Sequence, residues 1–214
     1  MKLRYPLPGI VSLVAIFAIA FVIYAFTDPG NFKASEIQQE PERIEDIDEI
    51  VESNLGYIPD EESINVYVFS DFDCPHCRDL EPRLAELDEN HEDVTMYYVP
   101  YPALQRENGI HAALATLCAD DYGYRQDFVS YMVENWSDVS SDMIGNAYQN
   151  YEDISGDEWQ SCLTDDAMRQ KQNNIISAGR ELNITSVPTT IIDGYVITGG
   201  VDYNTLEQFV EYVR

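Results

Sequence analysis

A chain of 214 residues has room for one ordinary domain and an appendage. Its 39 acidic residues against 12 basic ones give a net charge of −27. This charge argues against nucleic acid and anionic lipid headgroups as partners, because phosphate binding needs clustered cations. The acids are spread along the chain, a pattern that suits solubility at high salt, where their mutual repulsion is screened. A halophilic source is therefore a hypothesis.

Near the start of the sequence, residues 6–26 form an apolar run without a single charge. About 20 such residues span a bilayer. Two basic residues precede the run and Asp28 follows it, so the positive-inside rule leaves the N-terminus in the cytoplasm. We expect residues 1–27 to form a retained single-pass transmembrane helix, with the remaining chain extracytoplasmic. A cleaved signal peptide is the alternative, since Ala18-Ile19-Ala20 resembles a cleavage site. In either case the chain after the apolar run is exported into a compartment where disulfides can persist.

Residues 28–62 are polar and strongly acidic, which indicates a spacer between the anchor and a domain. Within this spacer, residues 38–54 carry apolar side chains three and four positions apart, which predicts a short amphipathic helix packed on the domain. A solvated spacer that holds the domain off the membrane explains the same composition. The apolar positions are Ile44, Ile47, Ile50 and Val51.

Residues 63–214 alternate between strand and helix patterns, in the order β-α-β, a helical block, then α-β-β-α. The block, at about 104–164, is predicted to be helical throughout, with a second helix around 128–136 and a third around 159–163. Asp193-Gly194 predicts a hairpin turn, and Asn204 is a suitable cap for a last helix. The predicted strands are Ile64–Phe69, Val94–Val99, Thr189–Ile192 and Tyr195–Ile197, and helices are predicted at Arg78–Glu89 and Ala167–Leu182.

Cys74-Pro75-His76-Cys77 lies where the first predicted strand gives way to the first helix. A helix N-terminus favours a thiolate on the outer cysteine, and Pro75 is tolerated in the first turn because its missing N–H costs little there. The spacing therefore predicts a redox-active dithiol. The alternative is half of a zinc site, but Cys118 and Cys162 lie far apart and form no second CxxC motif.

This motif after the first strand, with Val187-Pro188 before a late strand, resembles the thioredoxin superfamily. The CPHC sequence and the helical block narrow the resemblance to DsbA-like thiol oxidases, and residues 70–73 resemble the approach segment of that branch. The resemblance covers about 63–214. It implies an α/β thioredoxin fold with an inserted helical domain, preceded here by the single N-terminal transmembrane helix.

The resemblance also implies a role for each residue of the motif. Cys74 is expected to be the exposed nucleophile and Cys77 the inward-facing resolving thiol. A protonated His76 would stabilise the reduced form, which makes a disulfide more oxidising. The alternative for His76 is an exposed loop residue without a redox role. Pro188 would be a cis-proline that lets the Val187 backbone pair with an extended substrate, an ordinary trans-proline being the alternative.

One position departs from the family pattern. Family members often carry a glutamate on the first strand as a proton acceptor for the buried cysteine, and the matching position here is Val68. Asp71 or Asp73 is a substitute nearer the surface. The proton pathway of Cys77 is therefore open at this stage.

Cys118 and Cys162 fall in the helical block, as paired cysteines do in some DsbA-like relatives. We interpret them as a structural disulfide that stabilises the fold by closing a long loop. The alternative is a second redox pair that passes electrons to Cys74 and Cys77.

The function that these features predict is disulfide donation to exported cysteine-containing proteins through a mixed disulfide at Cys74. A membrane partner, DsbB-like or VKOR-like by resemblance, would reoxidise the protein, and no bound cofactor or metal is implied. A reductase or an isomerase on the same scaffold is an alternative. A non-catalytic metal carrier that uses Cys74, His76 and Cys77 is the alternative from another class.

Overall fold

The computed structural model describes residues 42–214, whose strands form one mixed sheet in the order β2-β1-β3-β4. The central strand β1 is parallel to β2, which requires a crossover helix, and antiparallel to β3. β3 and β4 form an antiparallel hairpin. The strands are β1 (Ile64–Ser70), β2 (Val94–Pro100), β3 (Thr189–Ile192) and β4 (Tyr195–Thr198).

Eight α-helices and two short 3₁₀ helices complete the described part of the chain. The element order confirms the predicted β-α-β, helical block and α-β-β-α pattern. The helices are α1 (Ile47–Leu55), α2 (Pro75–Asn90), α3 (Glu107–Asp121), α4 (Arg125–Glu134), α5 (Ser141–Gly145), α6 (Gly156–Leu163), α7 (Asp166–Glu181) and α8 (Tyr203–Val213), with 3₁₀ helices at Trp136–Asp138 and Ala147–Asn150.

The two faces of the sheet bury separate apolar cores. Successive side chains of a strand point to opposite faces, so Tyr67 and Phe69 pack under the helical block while Val66 and Val68 face α2 and α8. β1 is buried on both faces, as a central strand between two layers must be. Because α2 is anchored by its core side chains, its N-terminus is held firmly at the end of β1.

The predicted hairpin turn is confirmed, with Asp193 and Gly194 both at positive φ. Two details of the helical prediction are wrong. The separate helices predicted in the block are present, but the block is not helical throughout, because Gly123 at a φ of 82° ends one helix and Ser155 forms a capping box with Glu158 that starts another. The last helix is capped by Asp202, whose side chain accepts from Thr205 N, so that Asn204 lies inside it.

The amphipathic-helix interpretation of the spacer is confirmed for residues 47–55. Ile47, Val51 and Leu55 are buried one turn apart in the core under the helical block, and α1 packs against α7. Just before α1, residues 42–44 lie along β4: Ile44 N donates to Gly194 O at 2.8 Å, and Val196 N donates to Glu42 O at 2.9 Å.

The predicted transmembrane helix at residues 1–27 and the first part of the spacer lie outside the described residues. Between residues 42 and 214, none of the helices has the length and apolar character that a membrane span requires.

Candidate active site at the start of helix α2

The CPHC motif forms the first turn of α2. Cys74 is the N-cap with an extended backbone, and Pro75 occupies the first helical position. The Cys74 carbonyl accepts from Cys77 N at 3.1 Å and from Arg78 N at 3.2 Å, which closes the turn. The Cys74 sulfur therefore lies at the positive end of the helix dipole, where a thiolate is favoured.

The cis Val187–Pro188 peptide lies beside Cys74, as the resemblance implies. The Cys74 thiol donates to the Val187 carbonyl at 3.7 Å. With this loop against it, Cys74 is only 4% exposed, so the expectation of an exposed nucleophile is wrong. Val187 is itself partly buried, so the Cys74 thiol and the Val187 carbonyl meet beneath the surface of the domain.

Cys77 lies deeper, at 1% exposure, and its thiol is reduced like that of Cys74. Burial raises the pKa of Cys77 far above its ordinary value, although hydrogen bonds from Asp71 N and the Ser70 side chain favour the thiolate. The Asp71 N–H lies 3.5 Å from the sulfur. A thiol in such a site stays protonated, so it needs a proton acceptor before it can attack.

The approach segment is held together by Asp71. Its carboxylate accepts from Asp73 N at 2.9 Å and from Leu104 N at 3.0 Å, and its burial raises its pKa. The start of α3 packs directly on this carboxylate: a Cβ at Gly109 would lie 2.4 Å from Asp71 Oδ1. Both oxygens of Asp71 are thus engaged in fixing the active-site loop against the helical block.

Asp73, the other substitute acid, lies nearer the surface and pairs with Arg106. The guanidinium donates to the Asp73 carbonyl at 2.9 Å and lies 3.6 Å from its carboxylate. Val68, at the position of the family glutamate, is buried on the face of the sheet that packs on α2 and α8. Its apolar side chain supplies no acid to Cys77.

Sequence reasoning missed one acid, Glu81, one helical turn beyond Cys77 on α2. Burial raises the pKa of its carboxyl to about 7, opposed by the Tyr98 hydroxyl. Its Oε1 atom is buried with no hydrogen-bond partner. The available signal was the four-residue spacing from Cys77, which puts both side chains on one side of a helix. In a helix rich in charged residues, this spacing does not distinguish a buried glutamate from one that faces solvent.

Glu81→Gln should change how stability depends on pH. Because the pKa of Glu81 is raised from 4.5 to about 7 by folding, the folded protein holds this proton more tightly than the unfolded chain does. The contribution of this proton to the free energy of unfolding is present below the unfolded pKa and is lost as the pH rises through about 7. Glutamine cannot ionise. Above about pH 7, the free energy of unfolding of the variant should therefore exceed that of the wild type by about 2 to 3 kcal/mol more than it does at acid pH. Urea unfolding over this pH range measures the difference. Glu134 is exposed, and Glu134→Gln removes the same charge, so this variant should show no such trend. Equal trends in both variants would contradict the prediction.

A family model described as Thioredoxin matches residues 60–212. The chain belongs to this thioredoxin family. No curated protein sequence matches it. Among solved structures, the thiol-disulfide exchange protein α-DsbA2 of Wolbachia pipientis is 21% identical with a TM-score of 0.63, and the alignment covers 73% of this chain and 84% of that one. The catalytic domain of Proteus mirabilis ScsC is 22% identical with a TM-score of 0.61, over 77% and 96%.

A periplasmic thioredoxin-like protein from Salmonella enterica serovar Typhimurium is similar to the same extent, with 22% identity and a TM-score of 0.62 over 79% of this chain and 97% of that one. The thioredoxin-family protein therefore shares its fold with DsbA and ScsC proteins. The predicted membership of the thioredoxin superfamily, with a DsbA-like architecture, is confirmed.

The His76 side chain of this thioredoxin-family protein is exposed, and its carbonyl lies near Gly200. Its predicted role is electrostatic and stays a prediction. Among residues 42–214, no three histidine, cysteine or acidic side chains are grouped as a metal ion would require.

Replacing His76 with alanine should make the reduction potential of the Cys74–Cys77 disulfide more negative. An imidazolium on His76, two residues from Cys74 in the chain, would stabilise the reduced form, and each tenfold loss of that stabilisation would lower the potential by about 30 mV. Equilibration with glutathione buffers measures the shift. An unchanged potential would assign His76 to the surface without a redox role.

The structure joins Cys118 on α3 to Cys162 on α6 by a disulfide, with Cα atoms 6.0 Å apart. Cys118 is fully buried and Cys162 is half-buried. The bond therefore links two helices of the helical block, α3 and α6, to each other. Its assignment as a structural bond, with a second redox pair as the alternative, stays a prediction.

Proposed function

We propose that this protein is an extracytoplasmic thiol-disulfide oxidoreductase that donates disulfides to exported proteins through a mixed disulfide at Cys74. The observation that carries the proposal is the placement of Cys74 at the N-cap of α2, with Cys77 one turn behind it and the Val187 carbonyl at 3.7 Å. This arrangement provides a sulfur at the helix start for a client to attack, an internal resolving sulfur and a backbone segment for an extended client.

In the donating direction, a client thiolate attacks Cys74 Sγ of the Cys74–Cys77 disulfide. The new bond joins the client to Cys74, and Cys77 leaves with the electron pair and takes up a proton. A second client thiolate then attacks the client sulfur of this mixed disulfide, and Cys74 leaves as a thiolate. The client is oxidised by two electrons and the protein holds two reduced cysteines.

The cellular setting of the proposal rests on the sequence. Residues 6–26 would anchor the protein in the cell membrane, with a cytoplasmic N-terminus and an outward-facing catalytic domain. A DsbB-like or VKOR-like membrane protein would reoxidise it. The net charge of −27 speaks against nucleic acid as a partner and favours a high-salt environment.

The reduction potential of Cys74–Cys77 in the purified full-length protein is the first test, measured at high salt with the Cys118–Cys162 disulfide intact. Thiol oxidases such as DsbA lie near about −120 mV and thioredoxin near about −270 mV. We expect a value near the first. A value near the second would mean that the protein reduces its clients and needs electrons from across the membrane. Stoichiometric metal without any disulfide exchange would support a metal carrier instead.

A further inference from the structure

A cavity of about 360 Å³ lies between the segment that follows β2 and the end of α7. Tyr101 and Gln105 line it on the first side, and Arg180, Asn183 and Thr185 line it on the second. Neither cysteine of the CPHC motif lines this cavity, and neither does the cis-proline. It is therefore separate from the sulfurs, and the exchange reaction as written assigns it no task.

Both walls of this cavity continue into the active site. On the first side, Leu104 N donates to the Asp71 carboxylate at 3.0 Å, which holds this wall against the approach segment. On the second side, Thr185 precedes Val187 by two residues, and the Val187 carbonyl lies 3.7 Å from the Cys74 sulfur. Two residues of chain span at most about 8 Å. The cavity is therefore within a few residues' reach of a client bound to Cys74.

The two walls pack tightly against each other at the Tyr101 ring. A Cβ at Gly179 would lie 2.4 Å from Tyr101 Cε2, so only glycine lets the ring rest directly on α7. The Tyr101 hydroxyl donates to Ile184 O at 3.4 Å, and Tyr101 N donates to Ser70 O, at the end of β1, at 2.8 Å. The walls are thus fixed before any client binds, which lowers the cost of ordering them on binding.

Arg180, in the last turn of α7, is the one charged group among the described residues that line the cavity. The helix dipole favours a cation at this end of a helix, which accounts for a basic residue here. The chain has 39 acidic residues, and most of the other described basic side chains form ion pairs with them. Arg180 forms none with a described acid, so its guanidinium is available to a carboxylate from outside the chain.

Uncharged donors line the same cavity, namely the Asn183 amide and the Thr185 hydroxyl. The backbone is bent at both walls, with Gln105 at a φ of 53° and Asn183 at a φ of 56°. This left-handed conformation is uncommon for residues other than glycine, and it is concentrated at binding and active sites. A guanidinium with amide and hydroxyl donors nearby, and no acid in the described lining, suits a carboxylate and disfavours an ammonium group.

We propose that this cavity, through Arg180, binds the carboxylate of an aspartate or glutamate in the client, and that exchange at Cys74 therefore favours client cysteines with an acid nearby. The inference rests on the proposed function, because a client has to be held at Cys74 for its side chains to reach the cavity. An extended chain advances about 3.3 Å per residue, so the acid lies roughly two to four residues from the client cysteine.

The charge of the rest of the protein makes this preference specific to position. A net charge of −27 repels acidic clients over most of the surface. The Arg180 cavity supplies attraction at one place beside Cys74, so an acid at the matching position of the client is favoured and acids elsewhere in the client are not. Arg180 is in this sense a specificity-determining residue that touches the client and not the sulfurs.

The test uses the reduced full-length protein and short peptides whose single cysteine is joined to thionitrobenzoate as a mixed disulfide. The Cys74 thiolate attacks the peptide sulfur, and thionitrobenzoate leaves with the electron pair, so that its absorbance reports the rate. Cys77 then displaces the peptide thiolate and closes the Cys74–Cys77 disulfide. The mixed disulfide between Cys74 and the peptide is the same species that disulfide donation forms, so the client makes the same contacts in both directions.

Each peptide carries aspartate or asparagine about three residues before or after its cysteine. Rates are divided by those of the same peptide with a small uncharged thiol, which removes differences in intrinsic reactivity. In the wild type, the aspartate peptide should react about fivefold faster than its asparagine partner at one of the two positions, the upper range for an exposed ion pair. In Arg180→Gln this ratio should fall to about one or below, and Arg180→Lys, which keeps the charge, should retain part of it.

Arg169→Gln is the matched control. Arg169 lies on the same helix, forms no ion pair with a described acid and lines a different cavity, so this variant should keep the wild-type preference. Equal rates for the aspartate and asparagine peptides with the wild type at both positions would overturn the inference, as would equal losses of preference in the two glutamine variants. If the wild type reacts with none of the peptides, the proposed function fails, a result distinct from the absence of a preference.

Discussion

Replacing Cys77 with serine is expected to stop turnover and to leave the client covalently attached to Cys74. The reactive sulfur at the start of α2 remains, so a client disulfide can still be attacked and a mixed disulfide formed. Without the second sulfur, one turn behind Cys74, nothing inside the protein can release that adduct. Exchange should fall to the rate of the uncatalysed reaction. Non-reducing electrophoresis and mass spectrometry of the purified variant would detect the adduct.

Cys74→Ser is the matched control for this experiment. It should lose turnover equally but form no adduct, because the Cys77 sulfur lies one helical turn behind position 74, inside the helix start. A client adduct on Cys118 or Cys162, or turnover that survives in either variant, would contradict the assignment of Cys74 as the nucleophile.

Removing the Cys118–Cys162 disulfide, by replacing both cysteines with serine, should lower the free energy of unfolding by about 4 kcal/mol while exchange at Cys74 continues. The bond closes a loop with a sequence separation of 44, and a loop of this size restricts the unfolded chain by about that amount in the entropy model. Urea unfolding of the wild type and the double variant measures the difference. Cys118 is fully buried, so the new hydroxyl at that position adds a smaller cost of its own.

The exchange assay distinguishes the two interpretations of this disulfide. A structural bond predicts a less stable protein with an ordinary rate constant at temperatures where it is folded. A second redox pair predicts the opposite: little change in stability, and a protein that no longer passes electrons to Cys74 and Cys77.

The sequence was sufficient for the sheet and for the residues that meet at the start of α2. An apolar run located the central strand, which is found at Ile64–Ser70, and turn chemistry located the hairpin. These features depend on neighbours in the chain, or on motifs whose chemistry is local. The CPHC motif was placed at a helix start for the same reason.

What the sequence did not provide depends on contacts between distant segments. Glu81 became notable only once Tyr98 and α4 had closed over it, and the exposure of Cys74 was reduced by the loop at Val187. The cap of the last helix was misassigned because Asp202 and Asn204 are both good capping residues, and the register of the helix decides between them.

The pairing of residues 42–44 with β4 has a consequence for a protein that would handle unfolded chains. An outer strand with unpaired N–H and C=O groups is a template on which other polypeptides add as a further strand. Here the hairpin edge is already occupied by the protein's own backbone, through Ile44 with Gly194 and Val196 with Glu42. This edge of the sheet is thereby protected against indiscriminate capture of extended chains.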